Sequence, residues 1–500
     1  MDTNNMSVIE KKETAAKPSK SISYSSKDCV LAAVVAVIAI VFMRVIIWKH
    51  LGFLATGLFA GLTTASVIYL RSSGLHFSPL NKAITAVLYA FSVVFSITDN
   101  GTVFALDTLF LIIGTAYLFF SVTNEKKDIE RFLIIALFKS LMEVPLSRLG
   151  AQLSITADAA GKSKNGSRFR SVIIGLIVTV PLTAIIGTLL MSADAGMESM
   201  LTNVLETVFT DDIETFIYQL CIAFPFSLYL FAIMYNHVYN KDVSRIDQEG
   251  AERYIDSTRC IPNMVMYTAV TPVLVLYVMF FFSQASYFLS SFNHSLPQGY
   301  SYAEYARRGF FELFWITRIN LIILIFMNYL AKRGGRNKPL CLKIYNVILS
   351  VFTLVLIATA VSKMIMYISA FGLTELRLYT TWFMVLCAVL FVFIIIKQFS
   401  FEFRFARWTV FTFTFMFALL CFTRTDALIA RFNISMYNSG YHEELDTDVF
   451  YNMSDDAVLT AVDMGALRAE DVREHYDGWR FDDDSAQYNF SSLMLADRLK

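Results

Sequence analysis

The segment Ile344–Ile368 reads IYNVILSVFTLVLIATAVSKMIMYI and contains a single charged side chain, Lys363, among its 25 residues. An α-helix of about 20 apolar residues is long enough to cross the hydrocarbon core of a bilayer. A second apolar run, Leu376–Ile396, follows closely. The two runs predict a pair of membrane-spanning helices.

The same pattern occurs nine more times along the chain. These further predicted spans are Cys29–Trp48, Leu51–Leu70, Lys82–Thr98, Gly101–Thr123, Ser171–Ala193, Glu214–Tyr235, Met264–Phe288, Gly309–Ala331 and Ala406–Phe422. The composition agrees, because 56% of the residues are apolar, 17% are charged and the mean hydropathy is +0.53, which no water-soluble core requires. Since backbone groups in lipid must bond within their own segment, helices are the expected form. We predict an all-α, polytopic membrane protein with about 11 transmembrane helices and a small helical exterior tail.

The distribution of lysine and arginine predicts the orientation. With the amino terminus in the cytoplasm, interior segments carry 28 of these residues and exterior segments carry 12, as the positive-inside rule requires. Eleven spans then leave the carboxyl terminus outside. Because Lys plus Arg equals Asp plus Glu, the net charge is zero, and no overall basic field would draw the chain to nucleic acid.

The chain is predicted to fall into five regions. They are a disordered cytoplasmic amino terminus (1–28), the first four spans (29–123), a cytoplasmic interfacial helix with a basic loop (124–170), seven further spans (171–422) and an acidic exterior tail (423–500). In the third region, Phe132–Leu149 alternates apolar and charged residues at helical spacing, which favours a helix on the inner membrane surface. The alternative is a re-entrant helix broken near Pro145, with Lys139 and Glu143 deeper in the membrane.

Two exterior segments have the pattern of amphipathic helices. Asp194–Asp212 places apolar residues at spacings of three and four. In the tail, Ser454 is a suitable N-cap for a helix that ends near Gly465, and a second helix is predicted over Ala469–Tyr476. The tail has 16 acidic and 7 basic residues and is expected to pack on the exterior face of the bundle.

Ionisable residues concentrate in the outer half of the predicted bundle. They are Asp107, Glu304, Arg307, Arg308, Glu312, Arg318, Lys363, Glu375 and Arg377. Within Tyr300–Arg318, the spacing of Glu304, Arg308 and Glu312 would form a ladder of alternating charge on a helix. A charge inside lipid costs about 2.5–3.5 kcal/mol, which favours partners or water instead. We predict an outward-facing polar cavity lined by the fourth, eighth, ninth and tenth spans; the alternatives are an interfacial collar around residues 300–318 and static interhelical pairs.

No recognisable catalytic, nucleotide or metal motif accompanies these charges. GxxxxGK[ST], GxGxxG, HExxH and GxSxG are all absent from the sequence, so NTPase, dehydrogenase, zincin and serine-hydrolase chemistry has no support. The acidic residues between His442 and Asp448 lack the spacing of an EF-hand. We therefore expect no catalytic residue, no metal and no cofactor.

Several motifs resemble a known family. They are YAEYARRGFFEL (302–313), GLTELRLYTTWFM (372–384), LLMSADAGMESML (189–201), FFFSQASYFL (280–289), TDALIARFNI (425–434) and DGWRFDDDSAQYNF (477–490). Together they resemble the bacterial multi-pass family called domain of unknown function 4173, itself similar to family 4153, over roughly residues 130–500. The resemblance implies a bacterial plasma-membrane protein. It marks Glu304, Arg307, Arg308, Glu312, Glu375 and Arg377 as motif positions, and it implies no activity for them.

Three functional hypotheses follow. The first is a transporter or permeation-like protein that uses the outer polar cavity. The second is a non-catalytic sensor or assembly partner whose tail contacts an envelope protein or a small ligand on the exterior face. The third is a membrane enzyme acting on lipid or cell-wall precursors with Glu304 or His294 as acid-base groups. In each case the lipid bilayer is the immediate partner.

Overall fold

The computed structural model describes residues 24–48, 52–124, 133–161, 211–244, 259–292, 310–332, 339–400, 402–476 and 489–499, together with single positions between 175 and 192 and position 257. The chain divides into two compact units. Residues 1–33 and 150–208 form the first unit, and residues 34–149 and 209–500 form the second.

The described part of the first half of the chain is helical. Its helices are α1 (Ser26–Phe42), α2 (Gly52–Ser72), α3 (Pro79–Ser92), α4 (Val94–Ile97), α5 (Gly101–Thr123), α6 (Leu133–Phe138), α7 (Val144–Ser147), α8 (Ala151–Gly161), α9 (Asp211–Tyr239) and α10 (Lys241–Ser244). Two π-helical segments, Met43–Trp48 and Lys139–Glu143, continue α1 and join α6 to α7.

The second half is also helical where it is described. Its helices are α11 (Asn263–Phe292), α12 (Phe310–Tyr329), α13 (Leu340–Phe371), α14 (Glu375–Phe399), α15 (Phe405–Phe422), α16 (Thr425–Asn438), α17 (Asp448–Tyr451), α18 (Asp455–Asp463), α19 (Ala469–Tyr476) and α20 (Phe490–Arg498). The predicted all-α fold is confirmed.

Ten helices in the described part of the chain are long and apolar enough to cross a membrane. They overlap ten of the predicted spans, and the span Gly101–Thr123 has the predicted bounds. Most positions of the remaining predicted span, Ser171–Ala193, and of the predicted helix Asp194–Asp212 lie outside the described residues. The chain is thus an integral membrane protein, while eleven crossings and the orientation stay predictions.

Helix α13 is central to the core of the second half and packs against α11, α12 and α14. Polar groups link these helices inside the apolar packing. The Tyr277 hydroxyl donates to Asn320 Oδ1 (2.6 Å), and Asn320 Nδ2 donates to Thr353 Oγ1 (2.9 Å). Such small and amide side chains commonly connect membrane helices, because an unpaired polar group in lipid is costly.

Helix α5 occupies a comparable position in the first half and packs against α2, α3 and α9. The approach of α3 is close at Gly114, where an added Cβ would lie 2.7 Å from the Leu88 side chain. Aromatic rings also pack in this contact, including the Phe91–Phe110 pair at 4.4 Å between ring centroids. The close packing leaves one whole face of α5 buried.

The segment from α6 to α7 packs against α5 and α9. Ser140 Oγ donates to the carbonyl of Ala116 (2.7 Å), and Asn236 Nδ2 donates to the carbonyl of Val144 (3.0 Å). Lys139 and Glu143 lie 3.9 Å apart as a partly exposed pair. The backbone stays helical through Pro145, so the structure shows no break there.

The tail forms a helical unit with its own apolar core. Helices α18 and α19 confirm the two predicted tail helices; Ser454 stands at the N-cap of α18, and Gly465 follows the helix with φ +72°. The core contains Ile434, Phe450, Val458, Val472 and Leu495 from α16 to α20, among others.

The tail unit is docked on the bundle by backbone and side-chain hydrogen bonds. Asn433 of α16 donates to the carbonyl of Leu373 (2.9 Å) and accepts from the Leu373 amide (2.7 Å) in the turn between α13 and α14. Gly372 adopts φ +76° in that turn, and an added Cβ would lie 2.7 Å from Asn433 Oδ1. This contact therefore requires glycine for both conformation and space.

Candidate functional site

Asp107 lies on the buried face of α5, inside a candidate membrane span, and none of its surface is exposed. Neither of its carboxylate oxygens has a hydrogen-bond partner among the described residues. The adjacent hydroxyl, Thr108 Oγ1, is also buried and unpartnered there. Cys421 of α15 is close enough to interact electrostatically with the Asp107 carboxyl.

An unpartnered buried carboxyl group is unusual. The great majority of buried polar side-chain atoms have a partner, and leaving one without costs about 1–3 kcal/mol. In a membrane helix the group has no bulk water to replace that partner, so an ionisable side chain there is by default a functional candidate. Asp107 is such a buried ionisable side chain, and it has no hydrogen-bond partner among the described residues.

A second group of carboxyl side chains lies where α5 begins. We call Asp99, Glu375, Asp426, Asp455 and Asp456 the carboxylate network. These residues come from the turn before α5, the first residue of α14, the start of α16 and the start of α18. In contrast to Asp107, each of them interacts with a polar group across the fold.

Asn100 connects two members of the carboxylate network. Its Nδ2 donates both to Glu375 Oε1 (3.0 Å) and to Asp426 Oδ1 (2.8 Å), while its Oδ1 accepts from the amide of Val103 (2.9 Å) and so caps α5. The Tyr379 hydroxyl also donates to Asn100 Oδ1 (3.1 Å). One amide side chain therefore caps a membrane helix and holds two acidic groups together.

Asp456 is the most extensively bonded member of the network. It is fully buried and accepts from Thr98 Oγ1 (2.5 Å), Arg424 Nε (2.7 Å) and Ser491 Oγ. Arg424 also donates to Ser491 Oγ (2.8 Å). The charge of Asp456 is thus matched by a guanidinium and by hydroxyl donors from the bundle and the tail.

The backbone of Arg424 adopts φ +51°, a left-handed conformation that is uncommon for a residue with a side chain. Arg424 forms the turn between α15, the last described span, and α16 of the tail. Its ion pair with Asp456 fixes this turn, since the guanidinium is held on a carboxylate of a different helix. The turn conformation and the network are therefore coupled.

Two further members of the network, Asp99 and Asp426, accept hydrogen bonds from backbone amides at the amino-terminal end of α18. The amide of Asp455 donates to Asp99 Oδ1 (3.1 Å), and the amide of Ser454 donates to Asp426 Oδ2 (3.1 Å). Unpaired amides and the helix dipole both favour negative charge at this end of a helix. Ser492 Oγ completes the contact by donating to Asp455 Oδ2 (2.5 Å).

The predicted site residues are placed in several different surroundings. Glu375 joins the carboxylate network, and Asp107 lies deeper on α5. Glu312 and Lys363, on α12 and α13, interact electrostatically with each other. Glu304, Arg307 and Arg308 lie outside the described residues, as does His294.

The two remaining predicted residues have local contacts. Arg318 is exposed on α12 and covers the ring of Trp315 at 4.5 Å from its centroid. Arg377 lies over the ring of Tyr367 at 4.2 Å and donates to the carbonyls of Phe371 (2.9 Å) and Gly372, so it caps the carboxyl end of α13. A cavity shared by α5, α12, α13 and α14 stays a prediction.

Sequence reasoning missed most of the network. Of its five members only Glu375 was predicted as a site residue; the missed members are Asp99, Asp426, Asp455 and Asp456, and their partners Thr98, Asn100 and Arg424 were missed as well. The Thr425–Asp426 motif opens the tail, and Asp456 follows a predicted N-cap. In the described ranges, no group of three His, Cys, Asp or Glu side chains is arranged to hold a metal ion. The network contains the ion pair Arg424–Asp456 and the hydrogen bonds given above.

Comparison with protein families identifies the family of the chain. Residues 83–464 match the model of a domain of unknown function, DUF4153. The chain belongs to the DUF4153 family. This family is related to the one that the sequence motifs resemble, and the match begins within α3, earlier than residue 130. Comparison with curated proteins and with solved structures finds no match.

The DUF4153 domain contains both acidic regions. Its matched residues include Asp107 and all five members of the carboxylate network. They end at Met464, before α20, so Ser491 and Ser492 contribute to the network from outside the matched region. The domain description itself assigns no activity.

Proposed function

We propose that this DUF4153 membrane protein transports a proton or a small cation, and that Asp107 is the side chain that receives it. The observation that carries the proposal is the complete burial of Asp107 in a candidate membrane span with both carboxylate oxygens unpartnered among the described residues. A static structural carboxylate would be expected to have a partner, whereas a carrier needs free oxygens for its ion.

The position of the carboxylate network supports the same function. Asp107 follows the cap residue Asn100 by two helical turns, which is about 10 Å along α5 at the helical rise. A cluster of acidic groups at the beginning of the helix raises the local concentration of cations. An ion that approaches this end of α5 would thus meet negative charge first and Asp107 second.

Reconstituted vesicles provide the test of this function. The purified chain is placed in vesicles with an internal pH indicator, and a membrane potential is imposed with potassium and valinomycin. Parallel vesicles with sodium-sensitive dye separate a proton from a metal cation. We expect a flux of one of these ions that is lost in Asp107→Asn, because asparagine has similar size and no charge.

The matched control is Asp158→Asn, which makes the same change at an exposed residue of α8. The control should keep the unmodified flux. Equal flux in the unmodified protein, in Asp107→Asn and in vesicles without protein would reject the proposal.

A sensor or assembly role is the second candidate, and the tail favours it. Helices α16 to α20 form their own core and are joined to the bundle through the carboxylate network. A ligand bound to the tail could act on α5 and α14 through Asn100 and Glu375. If no ion flux is detected and a tail ligand is found by cross-linking of the intact protein, this role is favoured.

The enzyme hypothesis has the weakest support. Its two acid-base candidates, Glu304 and His294, lie outside the described residues. No contact in the described part of the chain adds a nucleophile or an acid-base pair to them.

A further inference from the structure

The turn between α2 and α3 has a defined shape. At the end of α2, the amide of Gly74 donates to the carbonyl of Arg71 (3.0 Å) and the amide of Leu75 donates to the carbonyl of Leu70 (3.3 Å), while Gly74 adopts φ +75°. This is the Schellman pattern of helix termination, which glycine permits. Helix α3 then begins with Ser78, whose hydroxyl accepts from the amide of Asn81 (3.2 Å).

The turn encloses an open pocket of about 440 Å³. The lining residues are Arg71, Gly74, Leu75, His76, Phe77 and Lys82. We call it the basic pocket, because three of the six lining residues are lysine, arginine or histidine. The guanidinium of Arg71 lies over the Phe77 ring, 5.5 Å from its centroid, which places the charge against the pocket wall.

No carboxylate of the described residues pairs with the cations of the basic pocket. Residues 71–82 contain no Asp or Glu. Within the described ranges, neither Arg71 nor Lys82 forms an ion pair with a carboxylate. Arg71 in the last turn of α2 and Lys82 in the first turn of α3 therefore line an opening that suits an anion.

The basic pocket lies at the membrane surface. The turn connects Gly52–Ser72 to Pro79–Ile97, two candidate membrane spans, so residues 71–82 must lie near the lipid headgroups at one face of the bilayer. The positive-inside rule predicts that this is the cytoplasmic face. Phospholipid phosphates are the anions present there at the highest density, and basic pockets at helix ends are known to bind them.

We propose that the basic pocket binds the phosphate of an anionic phospholipid headgroup. Arg71 and Lys82 would contact the phosphate, and His76 and Phe77 would form the wall of the pocket. The apolar Leu75 beside them gives the lipid glycerol region a less polar surface. The proposal does not depend on the proposed ion transport. It concerns the turn between α2 and α3, whereas the transport proposal concerns Asp107 on α5.

Native mass spectrometry of the full chain in detergent tests the proposal. Phosphatidylglycerol is added as the anionic lipid, phosphatidylcholine as the zwitterionic lipid and inorganic phosphate as the soluble anion. We expect retention of phosphatidylglycerol in preference to both. In Arg71→Gln with Lys82→Gln, its affinity should fall about tenfold or more, because each cation near an anionic headgroup contributes substantially.

Two matched variants make the result specific. Lys332→Gln with Lys343→Gln removes two cations on the same predicted face, at the ends of α12 and α13, and should leave phosphatidylglycerol binding unchanged. Arg71→Lys with Lys82→Arg keeps both charges and should retain most of the affinity. The melting temperature of each variant in lipid-free detergent verifies that it is folded.

Three results would overturn the proposal. The first is equal retention of phosphatidylglycerol in the unmodified protein and in the Arg71→Gln, Lys82→Gln variant. The second is equal loss in the Lys332→Gln, Lys343→Gln variant, which would indicate general charge attraction. The third is binding of inorganic phosphate without retention of phosphatidylglycerol, which would assign the basic pocket to a soluble anion.

Discussion

Two fully buried carboxyl groups of this protein have opposite surroundings. Asp456, at the end of the bundle where α5 begins, accepts from Thr98, Arg424 and Ser491. Asp107, farther along α5, has no hydrogen-bond partner among the described residues. A buried charge with several donors can hold helices together, whereas an unpartnered one lowers stability. The difference separates a structural role for the carboxylate network from a functional role for Asp107.

The largest expected effect is at Asp456. Asp456→Leu should lower the free energy of unfolding by about 3–5 kcal/mol, because it leaves the Arg424 guanidinium without its buried partner. Thermal unfolding in detergent measures the change. The control is Asp463→Leu on the same helix, whose ion pair with Arg498 (3.1 Å) is exposed; it should cost less than about 1 kcal/mol. Equal losses of unfolding free energy in the two variants would show that the carboxylate network does not stabilise the fold.

Substitution of Asp107 by leucine should change the free energy of unfolding in the opposite direction. Asp107→Leu removes two unpartnered oxygens and is expected to raise the free energy of unfolding by about 1–3 kcal/mol. The melting temperature in the same detergent is the readout. A loss of stability as large as that of Asp456→Leu would show that Asp107 has a structural partner, and the comparison would fail.

Asn100 links the carboxylate network to α5, the helix that carries Asp107. Its removal should have an intermediate effect on the free energy of unfolding. Asn100→Ala abolishes the α5 cap and both bonds to Glu375 and Asp426, which should cost about 2 kcal/mol. Ser78→Ala removes only the cap of α3 and should cost about 1 kcal/mol. If the two alanine variants melt at the same temperature, the bridging bonds of Asn100 contribute nothing measurable.

The smallest effect is a coupling energy. Arg377 caps α13, whereas Glu375, two residues before it, belongs to the carboxylate network. In a double-mutant cycle of Arg377→Gln and Glu375→Gln, the free energies of unfolding should therefore add to within about 0.5 kcal/mol. A coupling well above this value would show that Arg377 and Glu375 interact, as the predicted polar cavity requires.

The membrane fold was predictable because its signal is local and strong. An uninterrupted apolar run such as Ile344–Ile368 has few alternatives to a spanning helix, and α13 extends it by only a few residues at each end. The tail helices followed from equally local signals at Ser454 and Gly465. The apolar core of the tail was not predicted, because it is assembled from five short helices that each contribute few large side chains.

The site was less predictable because its contacts are distant in sequence. Thr98 and Asp456 are separated by 358 residues, and Asn100 and Asp426 by 326. Helical periodicity gives the depth of a residue but not its partner across the bundle. The sequence placed Arg318 and Arg377 in one site with Glu375 because the three residues have similar predicted depths in the membrane. In the structure, Arg318 contacts the ring of Trp315, and Arg377 donates to the carbonyl of Phe371.

The ion flux of Asp107→Asn per folded molecule is the most direct test of the central claim. Flux and melting temperature are measured on the same reconstituted preparation, together with those of Asp158→Asn. We predict that the flux of Asp107→Asn falls to the level of vesicles without protein while its melting temperature stays at or above that of the unmodified chain. An unchanged flux would contradict the account, as would a flux lost only together with the folded protein.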